Sequence, residues 1–377
     1  MRILNFGIND ITDAQDGLPE YLKYLSEWIE AQGHDGLFIN VRPCMADKPI
    51  EEMKVSKNID QVLINIPNFF EKCDVEVLKY IDMFRAGSAT VEWKPDLVIM
   101  HDWMFAPVVK AMDLEVPVIY FNHLFYKGLD NVIGGQSPIS IELEGYGMHE
   151  CADYVFTNSH AMADEIAKVY PQLAGKVYPI QLGVNKKKYA PCPNLKGNTI
   201  LYLGRLAEQK GIGNFLNEVK ENKEAIKKAG LRVVVAGAGD ELQRVVNSHY
   251  DGDIEYIHVV KGDKKMKTLR DAKYMVFPSL YEPWGLSLGE GLSCGKICIV
   301  SPAGGHREQV KNNKNGRIAN PGQYISSILE FEKNPGFQKK LSLQATKRAR
   351  DISEHFKELG GLFHDLLGVK KTISGRS

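Results

Sequence analysis

Short apolar, β-branched runs alternate with amphipathic stretches along almost the entire chain, and this alternation restricts the fold more than any other feature. A strand that is apolar throughout must be buried on both faces. A helix-length segment before the next strand then favours parallel pairing, with the helices covering the sheet. In the first half, strands are expected at Ile3–Gly7, Leu37–Val41, Leu97–Met100, Val118–Phe121, Tyr154–Thr157 and Val177–Gln181, with helices at about Leu18–Gln32 and Met162–Tyr170. Between Cys44 and Trp93 no period stands out, and partial helix is the expectation. Tyr189–Asn198 carries Pro191, Pro193, Asn194 and Gly197, offers few residues able to pack, and reads as an interdomain linker. The pattern then restarts, with strands expected at Ile200–Gly204, Arg232–Ala236, Ile254–Val259, Tyr274–Pro278 and Ile297–Ser301, and the C-terminal stretch is helical and charged.

The fold class that follows is α/β, with two Rossmann-like doubly wound domains over residues 1–189 and 190–352 and a C-terminal helical segment over 353–377. Two such domains facing each other would enclose a central cleft. Doubly wound sheets bind ligands beyond the carboxyl ends of their strands, so the residues that follow strands carry the functional argument.

The 377 residues, 44% of them hydrophobic, suffice for two buried cores. The formal net charge of +0 supplies no overall field toward nucleic acid, so no nucleic-acid partner is indicated. Cys44, Cys73, Cys151, Cys192, Cys294 and Cys298 form no CxxC pair and match no zinc-ligand spacing. They read as buried core thiols, which implies a reducing compartment. Met1–Phe6 runs straight into a strand, so no signal peptide is expected, and no apolar run approaches the ~20 residues of a membrane span. A cytoplasmic location is the resulting expectation.

The densest chemical signal runs from Pro278 to Leu292, where a strand ends, a loop follows and a helix is expected to begin near Gly285. The unpaired N–H groups at Gly285, Leu286, Ser287 and Leu288, aided by the helix dipole, would form an anion site suited to a diphosphate. Glu282 lies in the loop before that helix, where it can hold hydroxyls of a bound sugar; Glu290, inside it, can accept two hydrogen bonds from a ribose diol. Two glutamates at this spacing taken alone would be surface charges; the Pro-Ser, Trp-Gly and Gly-Leu context argues otherwise. A second signal, Leu203-Gly204-Arg205-Leu206-Ala207-Glu208-Gln209-Lys210-Gly211, follows the first strand of the second half. Arg205 and Lys210 can converge on phosphate oxygens and oppose the charge that grows on a leaving diphosphate; losing either would cost on the order of 10²–10³ in rate. An isolated Arg/Lys pair of this kind is as readily a solvated loop.

With these two motifs in this order, the chain resembles the GT-B glycosyltransferases of family 4 and its relatives, which include bacterial glycogen and sucrose-phosphate synthases. Glu282 and Glu290 match that family's paired glutamates, and Arg205 and Lys210 its diphosphate-binding pair. Ala303-Gly304-Gly305-His306-Arg307-Glu308, Val235–Asp240 and Leu182–Asn185 extend the likeness over nearly the whole second half. The first half is looser. Asp16-Gly17-Leu18 resembles the turn that faces the donor phosphates, with Gly17 alone where the family usually has a Gly pair. His101-Asp102-Trp103 resembles an element of the glycogen-synthase-like members. Tyr120–Gly128 resembles the strand that ends in an active-site histidine, a place taken by Asn122 in an ungapped alignment and assigned here to His123.

The resemblance implies retaining transfer of a hexosyl group from a UDP-, ADP- or GDP-hexose to an acceptor hydroxyl on a glycan, a small molecule or another carrier. His101-Asp102-Trp103 tilts the sugar toward glucose. The leaving phosphate would take the acceptor proton. Arg205, Lys210, Gly17, Gly204 and the helix start at Gly285–Ser287 would hold the diphosphate, Glu282 the sugar, Glu290 the ribose, and His123 the reacting centre. No cofactor or metal is required, because the cations and the helix dipole neutralise the diphosphate. The C-terminal helix, near Glu354–Val369, would cross back onto the first domain.

The alternatives are a UDP-sugar 2-epimerase of the same fold, a phosphorylase-like enzyme, for which the chain is short, and a non-catalytic nucleotide-sugar-binding protein. Asp251-Gly252-Asp253 has an Asp-x-Asp metal look but reads as a turn. Gly237-Ala238-Gly239 is weak evidence for a dinucleotide loop. Trp93 and Trp103 read as packing aromatics.

Overall fold

The computed structural model describes residues 1–12, 17–42, 48–66 and 93–368. They form two compact units: residues 1–158, 163–180 and 356 onward make the first, and 159–162 with 181–355 the second.

The first unit is built on an eight-stranded sheet ordered β3-β4-β2-β1-β5-β6-β7-β8. Its strands are β1 (Arg2–Ile8), β2 (Asp35–Arg42), β3 (Ile50–Lys54), β4 (Ile59–Asn65), β5 (Leu97–Met100), β6 (Val118–Asn122), β7 (Tyr154–Thr157) and β8 (Val177–Pro179). Only the β3–β4 pairing is antiparallel. Helices Gly17–Ala31 and His160–Val169 lie within a residue or two of their expected positions.

The described part of Cys44–Trp93 departs from the helical expectation, because it holds β3 and β4. In β3, Ile50-Glu51-Glu52-Met53-Lys54, the charges mask the strand period, as is common at a sheet edge. Residues 44–47 and 67–92 of that stretch, Cys44 and Cys73 among them, lie outside the described residues, as does Asp16.

The second unit carries a fully parallel six-stranded sheet ordered β11-β10-β9-β12-β13-β14. Its strands are β9 (Thr199–Leu203), β10 (Arg232–Ala236), β11 (Glu255–Ile257), β12 (Ala272–Phe277), β13 (Ile297–Val300) and β14 (Arg317–Ile318). Period-2 alternation divides each central strand between two cores. Ile200, Tyr202, Tyr274 and Val276 enter one; Leu201, Leu203, Met275 and Phe277 enter the other. That double burial is why these strands read as continuous apolar runs.

Tyr189–Asn198 is not a bare linker: it packs within the second unit. Tyr189 is only 2% exposed and sits in the core with Leu292 and Cys294. Ser293 Oγ donates to the Tyr189 carbonyl at 2.7 Å, and Asn194 Nδ2 to the Asp271 carbonyl at 3.0 Å. Turn-forming residues stop the strand pattern here but do not stop burial.

The C-terminal helix runs Ile352–Leu367. From Phe356 onward it belongs to the first unit, where Phe356 stacks on Trp28 at 5.7 Å and Phe363 meets the same ring edge-on at 5.6 Å. The GxG after β10 is a packing device. A Cβ on Gly237 (φ +156°) would lie 1.9 Å from the Gly204 carbonyl oxygen, so two loops touch through bare backbone there. Asp251 and Gly252 form the turn after helix Leu242–Tyr250, and Asp253 pairs with Lys223 at 2.8 Å.

Candidate active site

In both sheets the strand order reverses beside the first strand of the unit, between β1 and β5 and between β9 and β12. Chains leaving adjacent strands diverge at that point and open a crevice. Arg205 and Lys210 follow β9, and Glu282 and Gly285 follow β12, so sheet topology brings together two motifs that are far apart in sequence.

Lys210 Nζ donates to Glu282 Oε2 at 2.7 Å, and Ser279 Oγ donates to the same oxygen at 3.1 Å. Burial alone would raise the Glu282 carboxyl, but Lys210, His306 and the two hydrogen bonds outweigh it and hold the group below the usual glutamate range. His306 Nε2 stands 3.8 Å from the same oxygen. Complete burial pushes the imidazole down to about 4 against the pull of Glu282, so it is neutral at physiological pH, with Nδ1 at 3.2 Å from Ser301 Oγ.

Arg205 is exposed and reaches back to Gln209 Oε1 at 3.1 Å; its carbonyl accepts from the Tyr202 hydroxyl at 2.5 Å. Burial, followed by the Glu282 charge, raises that phenol, while Arg205 acts against them, so both side chains act on one hydroxyl. Gly204 is half-buried at the end of β9.

The helix after β12 runs Leu286–Ser293, one residue later than expected, with Gly285 as its N-cap at φ +93°. Leu288 N–H closes back on the Gly285 carbonyl at 3.1 Å, whereas the amides of Leu286 and Ser287 precede the first helical bond. The Gly304–Gly305 pair sets the loop in place: Gly305 N donates to the Glu282 carbonyl at 2.9 Å, and a Cβ on Gly305 would lie 2.5 Å from Trp284 Cα. Glu290, 4% exposed, is joined by Lys265 Nζ at 2.8 Å. Glu308 accepts from the amides of His160 and Ala161 at 3.1 and 2.7 Å and from Gln181 Nε2 at 2.7 Å.

In the first unit, Gly17 opens the helix after β1 at φ +62°. Asn122 ends β6 buried and donates to Glu144 Oε1 at 3.2 Å. His123 Nε2 lies 2.8 Å from His101 Nδ1, and His101 Nε2 lies 3.0 Å from Asn5 Oδ1. The amide oxygen can only accept, so His101 carries its proton on Nε2 and accepts at Nδ1 from His123. Burial, then the neighbouring His123 charge, holds His101 well below the usual histidine range. Asp102 adopts φ 120°, rare for any residue but glycine, and burial raises its carboxyl to about 7.

Sequence reasoning missed His306, Ser279, Gln209, Lys265 and the bond from His101 to His123. His306 and His101 lie inside recognised motifs, and for His101, directly after β5, the strand-end position was a usable signal. Lys265 sits on a charged helix, Gly262–Asp271, whose sequence gives no sign of a buried partner.

Residues 185–350 match the family model described as glycosyl transferases group 1, and residues 16–188 match glycosyltransferase family 4. Glycogen synthase from Mycobacterium tuberculosis is 25% identical over 329 residues, covering 80% of this chain and 78% of its own. Sucrose-phosphate synthase from Thermosynechococcus elongatus superposes with a TM-score of 0.81 at 18% identity, over 98% of this chain and 100% of that one. The catalytic domain of starch synthase IV from Arabidopsis thaliana, bound to ADP and acarbose, gives 0.73 at 13% identity over 98% and 99%. With both halves matched by glycosyltransferase models and the whole described fold shared with GT-B enzymes, the chain belongs to glycosyltransferase family 4.

Proposed function

We propose that this glycosyltransferase moves a hexosyl group, glucosyl by preference, from a nucleoside-diphosphate sugar to an acceptor hydroxyl with retention at the anomeric carbon. The observation that carries the reading is the Lys210–Glu282 ion pair beside the start of helix Leu286–Ser293, at the reversal point of the second sheet. An ammonium has three donors, and only one of them serves Glu282. The other two can meet diphosphate oxygens together with Arg205 and the amides of Leu286 and Ser287. These groups oppose the charge that develops on the leaving diphosphate. Glu282, kept ionised by Lys210, accepts hydroxyls of the sugar. Glu290, positioned by Lys265, accepts from the ribose. His123, anchored by His101, contacts the reacting sugar, and the leaving phosphate removes the acceptor proton on the same face. Gly17 lets the chain approach the phosphates. The starch synthase above holds ADP, which supports a nucleoside diphosphate as the leaving group.

The test is a thermal-shift screen against UDP-, ADP- and GDP-glucose, followed by nucleoside-diphosphate release with candidate acceptors. A donor at 100 times its Kd adds about 2.7 kcal/mol of stability. Lys210→Ala should abolish most of that shift; an undiminished shift in the variant would remove the phosphate assignment. The anomeric configuration of the product, read by NMR, tests retention.

A further inference from the structure

Cys192 and Cys294 lie far apart in sequence, yet the Cys192 amide donates to the Cys294 carbonyl at 3.0 Å, and each side chain is the leading influence on the other's thiol. Backbones joined this way lie within the separation that a disulfide spans. Both cysteines are reduced. Cys294 is fully buried and caps helix Leu286–Ser293, its own amide bonded to the Glu290 carbonyl at 2.9 Å. Cys192 is only half-buried and lies on the Tyr189–Asn198 segment. Below the pair, the Lys296 ammonium, with no exposure, donates to the carbonyls of Cys192, Ala272 and Arg270 at 2.6, 3.0 and 3.2 Å. Cys294 first, then Lys296 and Arg270, lower the Cys192 thiol against its burial, while Cys294 is raised. Cys192, the half-buried thiol, is the one a solute can reach and is the reactive partner; Cys294, fully buried behind it, is the resolving one.

We propose that Cys192 and Cys294 are a peroxide-sensitive thiol pair that closes to a disulfide, tying the Tyr189–Asn198 segment to the end of the helix that carries Glu290. The Cys192 thiolate attacks a peroxide oxygen, giving a sulfenic acid and releasing hydroxide. The Cys294 sulfur then attacks the Cys192 sulfur, and the hydroxyl leaves with the Cys294 proton as water. The peroxide is reduced by two electrons, and the two thiols supply them.

The experiment treats the full chain with hydrogen peroxide near equimolar amounts, blocks the remaining thiols and maps peptides by mass spectrometry. The expected result is a linked peptide pair containing Cys192 and Cys294, lost on treatment with dithiothreitol and unchanged in Cys298→Ser. Cys294→Ser should leave Cys192 as a sulfenic acid trapped by dimedone. Cys192→Ser should slow peroxide consumption at least tenfold. Over-oxidation of Cys192 without a link, a link that forms only in denaturant, or undiminished peroxide consumption in Cys192→Ser would each overturn the proposal.

Discussion

A buried carboxylate that must stay ionised needs a fixed counter-charge, and Glu282 has one in Lys210 at 2.7 Å. Lys210→Ala should cost about 3 kcal/mol of stability, because it leaves Glu282 unpaired in a buried site. Transfer should also fall by on the order of 10²–10³, measured as kcat in steady-state assays. His101 acts on the proposed sugar contact only through the His123 ring. His101→Ala should therefore lower kcat by on the order of 10² while the donor-induced thermal shift stays close to wild type. His306 supplies a pH signature. Its folded value, about 4, lies below the ordinary 6.5, so between those values the unfolded chain binds the extra proton. Stability is then fully present above about pH 6.5 and lost as pH falls toward 4, by about 3 kcal/mol for this group. Denaturant titrations across that window should show a shallower decline for His306→Gln than for wild type.

At the level of elements, the site is two loops and one helix start held at fixed separation by small residues. Gly305 lies under Pro283 and Trp284 so closely that a methyl group would displace the Glu282 loop: a Cβ there meets the Pro283 carbonyl oxygen at 2.5 Å. Gly305→Ala should lower stability by about 1–3 kcal/mol and weaken the donor-induced thermal shift, although the glycine touches no proposed ligand. The C-terminal helix is held by aromatics. Phe356 is buried and stacked on Trp28 and Tyr21, at 5.7 and 6.2 Å, so Phe356→Ala should cost about 3–5 kcal/mol in a denaturant melt. Among the described residues no helix is long and apolar enough to cross a membrane.

For the molecule as a whole, the sequence by itself determined the parallel strands of the two sheets, because strands buried on both faces must be apolar throughout and the spacing between them leaves room for helices. It also determined the order of the motifs and their positions after strands, which is why Arg205, Lys210, Glu282 and Glu290 could be singled out. The edge strand β3 and the burial of Tyr189 were not legible: charges hide the period of the first, and proline-rich composition hides the packing of the second. Tertiary structure alone decided which groups meet. The ion pairs of Lys210 with Glu282 and of Lys265 with Glu290, the contact of His101 with His123, and the thiol pair of Cys192 and Cys294 all join residues from separate elements. The physical reason is that local periodicity reports which face of an element is buried. The partner it finds there depends on strand order and register, set by the packing of the whole chain.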